Sequence, residues 1–552
     1  MASLLRDRLI YLSLLTVGFA ALVLGWSAFA DSTTPSRIER YVEGVVGQPE
    51  RINPLLAGLN ETDADIAALV FDGLTRIDGR GMPQPNLAER WDITADGLSY
   101  RFQLRADVFW HDGQRFDALD VAFTIALVQA SAFRGDPSLA AAWAGVDVTV
   151  VDALTVEMVL PEISASFLTR AALGIVPEHQ LAGLDAAAIF DAPFNRAPIG
   201  TGPFRVVELT TRRALLERHT TYHEGLPGLR EFEFRFFRDR SALTAAIASG
   251  ELHGALLSGG ETATANDATD AAATAEQRAV AVQPSIATTA LDEGGYTVLY
   301  LNTQRESLAS VALRQAIAAA IDVPTLLAAL PGGAADVAGA PGSGPILPGS
   351  WAYAPGEWPD PSTAPGLLDV AGWLEGPTGQ RSRNGFALTL ELVTNTEPLR
   401  EALAAEIARR LTALGIIVDV EAVPSSELVT RRLVPRDYEM AIFGWETGAD
   451  PDPYGAWHTS QILAPGSNVA GYHDPLADAL LEAGRTTLDE AERRQLYAAF
   501  TERFAEMAPS IVLHCPQRLY AHPRSLRGLS DGVLFDRSDR FRSVHLWHED
   551  GE

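Results

Sequence analysis

Between Arg400 and Val420 the chain spells out a helix, a stop and a strand in succession, and this order narrows the possible folds more than any other feature. Leu403, Ile407, Leu411 and Leu414 recur at helical spacing, Gly415 ends the run, and Ile416-Ile417-Val418-Asp419-Val420 reads as a buried strand. A helix feeding a β-branched run is the repeating unit of an α/β domain. The alternation continues elsewhere, with helical periodicity at 63–71, 119–129, 243–249 and 311–321, and strand patterning at 40–46, 296–302, 388–393 and 438–443. No internal repeat is visible, so solenoids and propellers are set aside.

At 552 residues the chain has room for two or three domains, and 47% hydrophobic content supports real cores. The balance of 43 basic against 71 acidic side chains gives a formal charge of -28, which repels nucleic-acid phosphates and argues against a nucleic-acid partner. Acidity also serves plain solubility, so no ligand charge follows from it. Every basic residue is Arg. The absence of Lys excludes a Walker A loop, a pyridoxal Schiff base and lysine-based acyl transfer.

Near the N-terminus, Arg6 and Arg8 precede an apolar run from Leu9 to Trp26, and Ala28-Phe29-Ala30 supplies a small-x-small site that predicts cleavage before Asp31. Residues 1–30 thus read as an export signal. The run, about 18 residues, is near the lower limit for a membrane-spanning helix, so an uncleaved anchor contacting the membrane is the alternative. No Cys lies just after the run, which closes the lipoprotein route. Cys515 is the only thiol and makes no internal disulfide. Ser32 to Arg37 reads as a polar tether. Residues 258–290, rich in Ala, Thr and Asp, mark a domain boundary. Residues 331–366 form a long Pro/Gly loop in which Trp351, Tyr353 and Trp358 favour a functional role.

The richest constellation of side chains lies from Gly444 to His458, just past the strand 438–443. It gathers Trp445, Glu446, Asp450, Asp452, Tyr454 and Trp457 at a strand end, where open α/β folds bind ligands. We take these six as candidate ligand contacts, joined by Trp351 and Tyr353 from the long loop and by Asn395 at the end of the strand 388–393. Burying unpaired carboxylates is costly, so at least one of the acids is expected to find a partner donor. His219 and His223 are four apart, but Gly225-Leu226-Pro227-Gly228 makes a turn there and poor helix formers lie between them. No metal, cofactor or catalytic residue is therefore assigned. Gly200-x-Gly202 is followed by Pro203, so it cannot cradle a phosphate. No Gly-x-Ser-x-Gly elbow is present.

Short phrases in fixed order carry a family likeness. They run from Arg51-Ile52-Asn53-Pro54-Leu55, Val70-Phe71-Asp72-Gly73-Leu74 and Leu87-Ala88-Glu89-Arg90-Trp91 through Phe109-Trp110-His111-Asp112-Gly113 and Pro198-Ile199-Gly200-Thr201-Gly202-Pro203-Phe204. Downstream come Ser249-Gly250-Glu251-Leu252-His253-Gly254, Leu313-Arg314-Gln315-Ala316-Ile317-Ala318, and Gly444-Trp445 with Trp457-His458. Over roughly residues 40 to 520 the chain resembles the family 5 extracellular solute-binding proteins of ABC importers.

The resemblance implies a two-lobed α/β clamshell like the periplasmic binding proteins (type II), in a three-domain variant. Domain I would be discontinuous (38–75, 200–290 and 511–552), domain II would span 76–199, and domain III (291–510) would close over the ligand. The implied function is non-enzymatic capture of a peptide or other small solute and its delivery to the ABC permease subunits, by an exported, periplasmic or membrane-anchored monomer. A membrane-tethered ligand sensor is the alternative, and a hydrolase a more distant one. In peptide-binding members an Asp three residues after the matching Trp anchors the ligand's α-amino group. Here that position holds Gly448.

Overall fold

The computed structural model describes residues 39–258, 268–330, 339–463 and 465–549. The export signal or anchor at 1–30 and the tether at 32–37 lie outside them, as do parts of the stretches 258–290 and 331–366.

One strand organises the fold. Ser510–Pro523 is long enough to serve two halves of a large mixed sheet. Its first residues pair antiparallel with Gly295–Leu301, Ser510 opposite Tyr300 and His514 opposite Thr297. Its later ones pair with Ile286–Glu293, Gln517 opposite Asp292 and Pro523 opposite Ile286. Beyond Gly295–Leu301 the sheet continues through Met440–Glu446, Thr389–Asn395 and Ile417–Val423. On the other side it runs through Gly254–Leu256, Arg40–Val46, Glu231–Phe237, Arg213–Arg218 and Phe204–Leu209. The chain therefore passes between the two lobes at adjacent places, Glu293-Gly294-Gly295 and Cys515-Pro516-Gln517.

Strand periodicity explains how the second lobe is buried. Alternate side chains of a strand face opposite sides. Leu299 and Leu301 enter one core with the helices Val311–Ile321 and Pro398–Ala413, while Tyr296, Val298 and Tyr300 enter another with Trp457, Phe500 and Phe504. A strand covered on both faces reads as a continuous apolar run, as this one does. The helix expected over 400–414 spans Pro398–Ala413, with Glu397 capping its first turn and Gly415 at φ +84° behind it. The strand after Gly415, expected to be buried, is instead the sheet's edge. Ile417–Val423 has one neighbour, and Asp419 and Glu421 face solvent, which protects an edge from pairing with other chains.

A separate antiparallel sheet, Ala88–Ile93, Ser99–Leu104, Thr155–Val159 and Asp147–Asp152, packs beside the helix Ala118–Gln129. That helix begins with a capping box between Asp117 and Asp120. The Trp110-His111-Asp112-Gly113 turn is stitched to the Gly200-Thr201-Gly202 segment. The His111 N–H donates to the Gly200 carbonyl at 2.9 Å, and the Gly200 N–H returns a bond to His111 Nδ1 at 3.1 Å. Gly202 donates to the Val70 carbonyl at 2.9 Å, and a Cβ at position 200 would fall 1.8 Å from the same oxygen. Two of the most distinctive sequence phrases thus form one framework knot.

Candidate functional site

Where the two lobes meet, the sheet opens into a cavity of about 820 Å³. Phe443, Trp445 and Thr447 from the end of Met440–Glu446, together with Arg400, form one wall. Arg518, Phe535 and the 57–64 segment form the other. A smaller cavity of about 200 Å³ adjoins it behind Trp445, bounded by Leu347, Asp450 and Asp452. Tyr296, Trp445, Glu446, Thr447 and Phe535 border both.

Trp445 owes its position to the strand. The ladder runs on past the expected end at 443 to Glu446, placing Trp445 opposite Tyr296 and Glu446 opposite Gly295. The Thr447 N–H then donates to the Gly294 carbonyl at 2.8 Å, and the Gly294 N–H to the Leu534 carbonyl at 2.7 Å. The strand end is thereby tied to the interlobe crossing. Trp445 is half-buried, and Glu446 is exposed.

The acids are mostly engaged. Asp450 accepts two bonds from Arg493, at 2.6 and 2.7 Å, and both side chains are nearly buried. Burial alone would weaken the Arg493 charge, but Asp450 more than offsets that and the guanidinium is held above its ordinary pKa. Breaking such a pair costs about 3–5 kcal/mol, too much for a solute to displace it freely. Asp452 lies 3.0 Å from Arg485; burial raises its carboxyl above the usual range, with Arg485 opposing. The expectation that an acid would find a donor is met twice over.

Several candidates sit elsewhere. Trp457 is 1% exposed, its ring 4.7 Å from Phe504, because the single helical turn Tyr454–Trp457 folds it back into the core. It is a packing residue, not an aromatic wall of the cavity. Tyr454 stacks on His458 at 4.1 Å with Arg485 over its ring, outside both cavities. Trp351 is buried with Arg493 over its face, and its backbone N–H donates to the Arg80 carbonyl at 3.0 Å. The Tyr353 hydroxyl pairs with Ser343 Oγ at 2.9 Å. Asn395 is buried behind Arg400, its amide donating to Ser425 Oγ at 2.9 Å. His219 and His223 bond separately, to the Gly202 carbonyl and to Asn86 Oδ1.

Sequence reasoning passed over Arg400, Arg518 and Thr447. Arg518 is almost wholly buried on the cavity wall, its Nε bonded to Glu293. Burial pulls its pKa below the ordinary value, with Glu293 opposing. Arg400 projects from the first turn of its helix over Gly444, where a Cβ would lie 2.6 Å from Nη2. Gly444 is what lets the guanidinium reach the cavity. A lone Arg between the apolar residues 511–513 and 519–521 was the available signal for Arg518, since a charge in a buried strand needs a reason.

A model of bacterial extracellular solute-binding proteins, family 5, matches residues 82–462. The chain belongs to that family. Among its relatives, the oligopeptide-binding protein AppA of Bacillus subtilis is 26% identical over 520 residues, 91% of each chain. Di/tripeptide-binding protein 4 of Pseudomonas aeruginosa is 30% identical over 474 residues, 80% of this chain and 83% of that one. The crystal structure of the ABC transporter substrate-binding protein CtaP from Listeria monocytogenes superposes with a TM-score of 0.74 at 24% identity, covering 92% and 99% of the two chains. The two-lobed α/β clamshell is thus the fold of this family 5 protein, and the cavity lies between its lobes.

Proposed function

We propose that the solute of this family 5 binding protein sits in the 820 Å³ interlobe cavity and is gripped there by Trp445. The protein is the substrate-binding component of an ABC importer, capturing a peptide or other small solute between two lobes. The observation carrying the placement is that residues of both lobes wall one cavity, with an indole and buried polar atoms converging on it. A solute touching both walls favours the closed form through its differential affinity for that state. The exported chain then presents the closed form to the permease and releases its cargo intact.

The test uses the solute recovered with the purified protein and identified by native mass spectrometry. In calorimetric titration, Trp445→Ala should weaken its binding by roughly tenfold or more, with the thermal unfolding profile of the parent retained. Unchanged affinity would place the solute elsewhere. Recovery of a cleaved product after incubation would mean turnover, against the binding role.

A further inference from the structure

Each wall of the cavity carries a guanidinium short of acceptors. On Arg518 only Nε is engaged, by Glu293; Nη1 and Nη2 are buried and make no hydrogen bond among the described residues. On the facing lobe the Nε of Arg400 is likewise buried and unbonded. Its nearest carboxylate, Glu397 Oε2, lies 3.8 Å away, beyond hydrogen-bond reach, and Nη1 reaches Asn395 Oδ1 only at 3.5 Å. A guanidinium has five N–H donors and no acceptor, and leaving buried donors unmet is costly.

The acids around the cavity do not supply what is missing. Glu293 is taken by Arg518 and Glu61 by Arg537. Asp536 Oδ1 accepts from the N–H and hydroxyl of Ser538, at 2.8 and 2.6 Å. Glu446 is exposed to solvent. Gly448 presents no side chain to a free amine. The unmet demand is for acceptors, from two directions, on two lobes.

We propose that the solute is an organic dianion, with one acidic group meeting Arg518 and a second meeting Arg400. This rests on the cavity being the binding site. Charge-assisted bonds to guanidinium are about twice as strong as neutral ones. A dianion spanning the two arginines also ties the lobes together, so the groups that confer specificity confer closure.

The test is calorimetry with dicarboxylates of graded length, from glutarate to N-acetyl-Ala-Glu, their diamides, and zwitterionic Ala-Ala-Ala. At least one dicarboxylate should bind roughly tenfold tighter than its diamide. Arg518→Gln and Arg400→Gln should each abolish that preference, the dicarboxylate losing roughly tenfold more affinity than the diamide does. Arg400→Gln carries the test by itself if loss of the bridge to Glu293 unfolds the Arg518 variant. Tightest binding of Ala-Ala-Ala, no dicarboxylate bound at millimolar concentration, or a preference that survives both substitutions would overturn the proposal. If Trp445→Ala weakens Ala-Ala-Ala while both arginine variants are silent, the site stands and the dianion falls. If Trp445→Ala is silent toward every ligand bound, the site falls with it.

Discussion

Trp445 borders the interlobe cavity from the end of its strand, while Trp457 is buried with its ring 4.7 Å from Phe504. Trp445 and Trp457 looked alike in the sequence, as indoles in one polar span. The first lies on a strand and borders the cavity, and the second follows one helical turn and is lost to the core. Twelve residues separate them, and the reversal between them comes from a Pro-rich turn whose direction no periodicity encodes. Arg400 and Arg518 were missed for a related reason, because an unmet donor is defined by neighbours remote in sequence. Gly448 offers a clean experiment at this scale. A Cβ there meets nothing within 4 Å, so Gly448→Asp should fold with unchanged stability by urea denaturation. The new carboxylate should tighten binding of Ala-Ala-Ala, which has a free amine, relative to its N-acetylated form. Equal change for both would show that position 448 does not face the solute.

Among the elements, periodicity was a reliable guide wherever one face or both are buried. The strands Arg40–Val46 and Gly295–Leu301 and the helix Val311–Ile321 lie within a residue of the segments read from the sequence. The edge strand Ile417–Val423 was misread because a β-branched run looks the same at an edge as at a centre, and only the number of neighbours differs. The knot between the His111 turn and the Gly200–Gly202 segment was legible as a phrase but not as a contact. It makes a pH prediction. Burial, against which the Gly202 carbonyl at 3.0 Å acts, pushes the His111 pKa down to about 3. In the unfolded chain the imidazole takes a proton near pH 6.5, whereas in the folded chain it stays neutral until about 3. This contribution to stability is therefore complete above pH 6.5 and is lost progressively as pH falls toward 3. His111→Asn should lower stability at pH 7 yet flatten the decline between pH 6.5 and 4, as read from urea midpoints. A decline as steep as the parent's would remove His111 from the acid response.

For the whole molecule, strand crossings at neighbouring places join the lobes, among the described residues one through Gly294-Gly295 and one through Pro516. The glycines make few demands on the backbone, and the proline gives up a ladder donor, so bending there disturbs little. The cavity opens beside this line, which lets a bound solute act on the angle between the lobes. The net charge of -28 repels an acidic solute at long range. That repulsion is screened beyond about 8 Å at physiological ionic strength, so recognition falls to the local guanidinia. Two-lobed capture was foreseeable from family phrases, but the chemistry of the cargo was not, since those phrases build framework. A crystal structure of the protein grown with its recovered solute decides where the cargo sits. Solute density is expected between the lobes, against the Trp445 ring and within hydrogen-bond distance of Arg400. Solute density anywhere outside that cavity, with the cleft filled only by water, would contradict this placement.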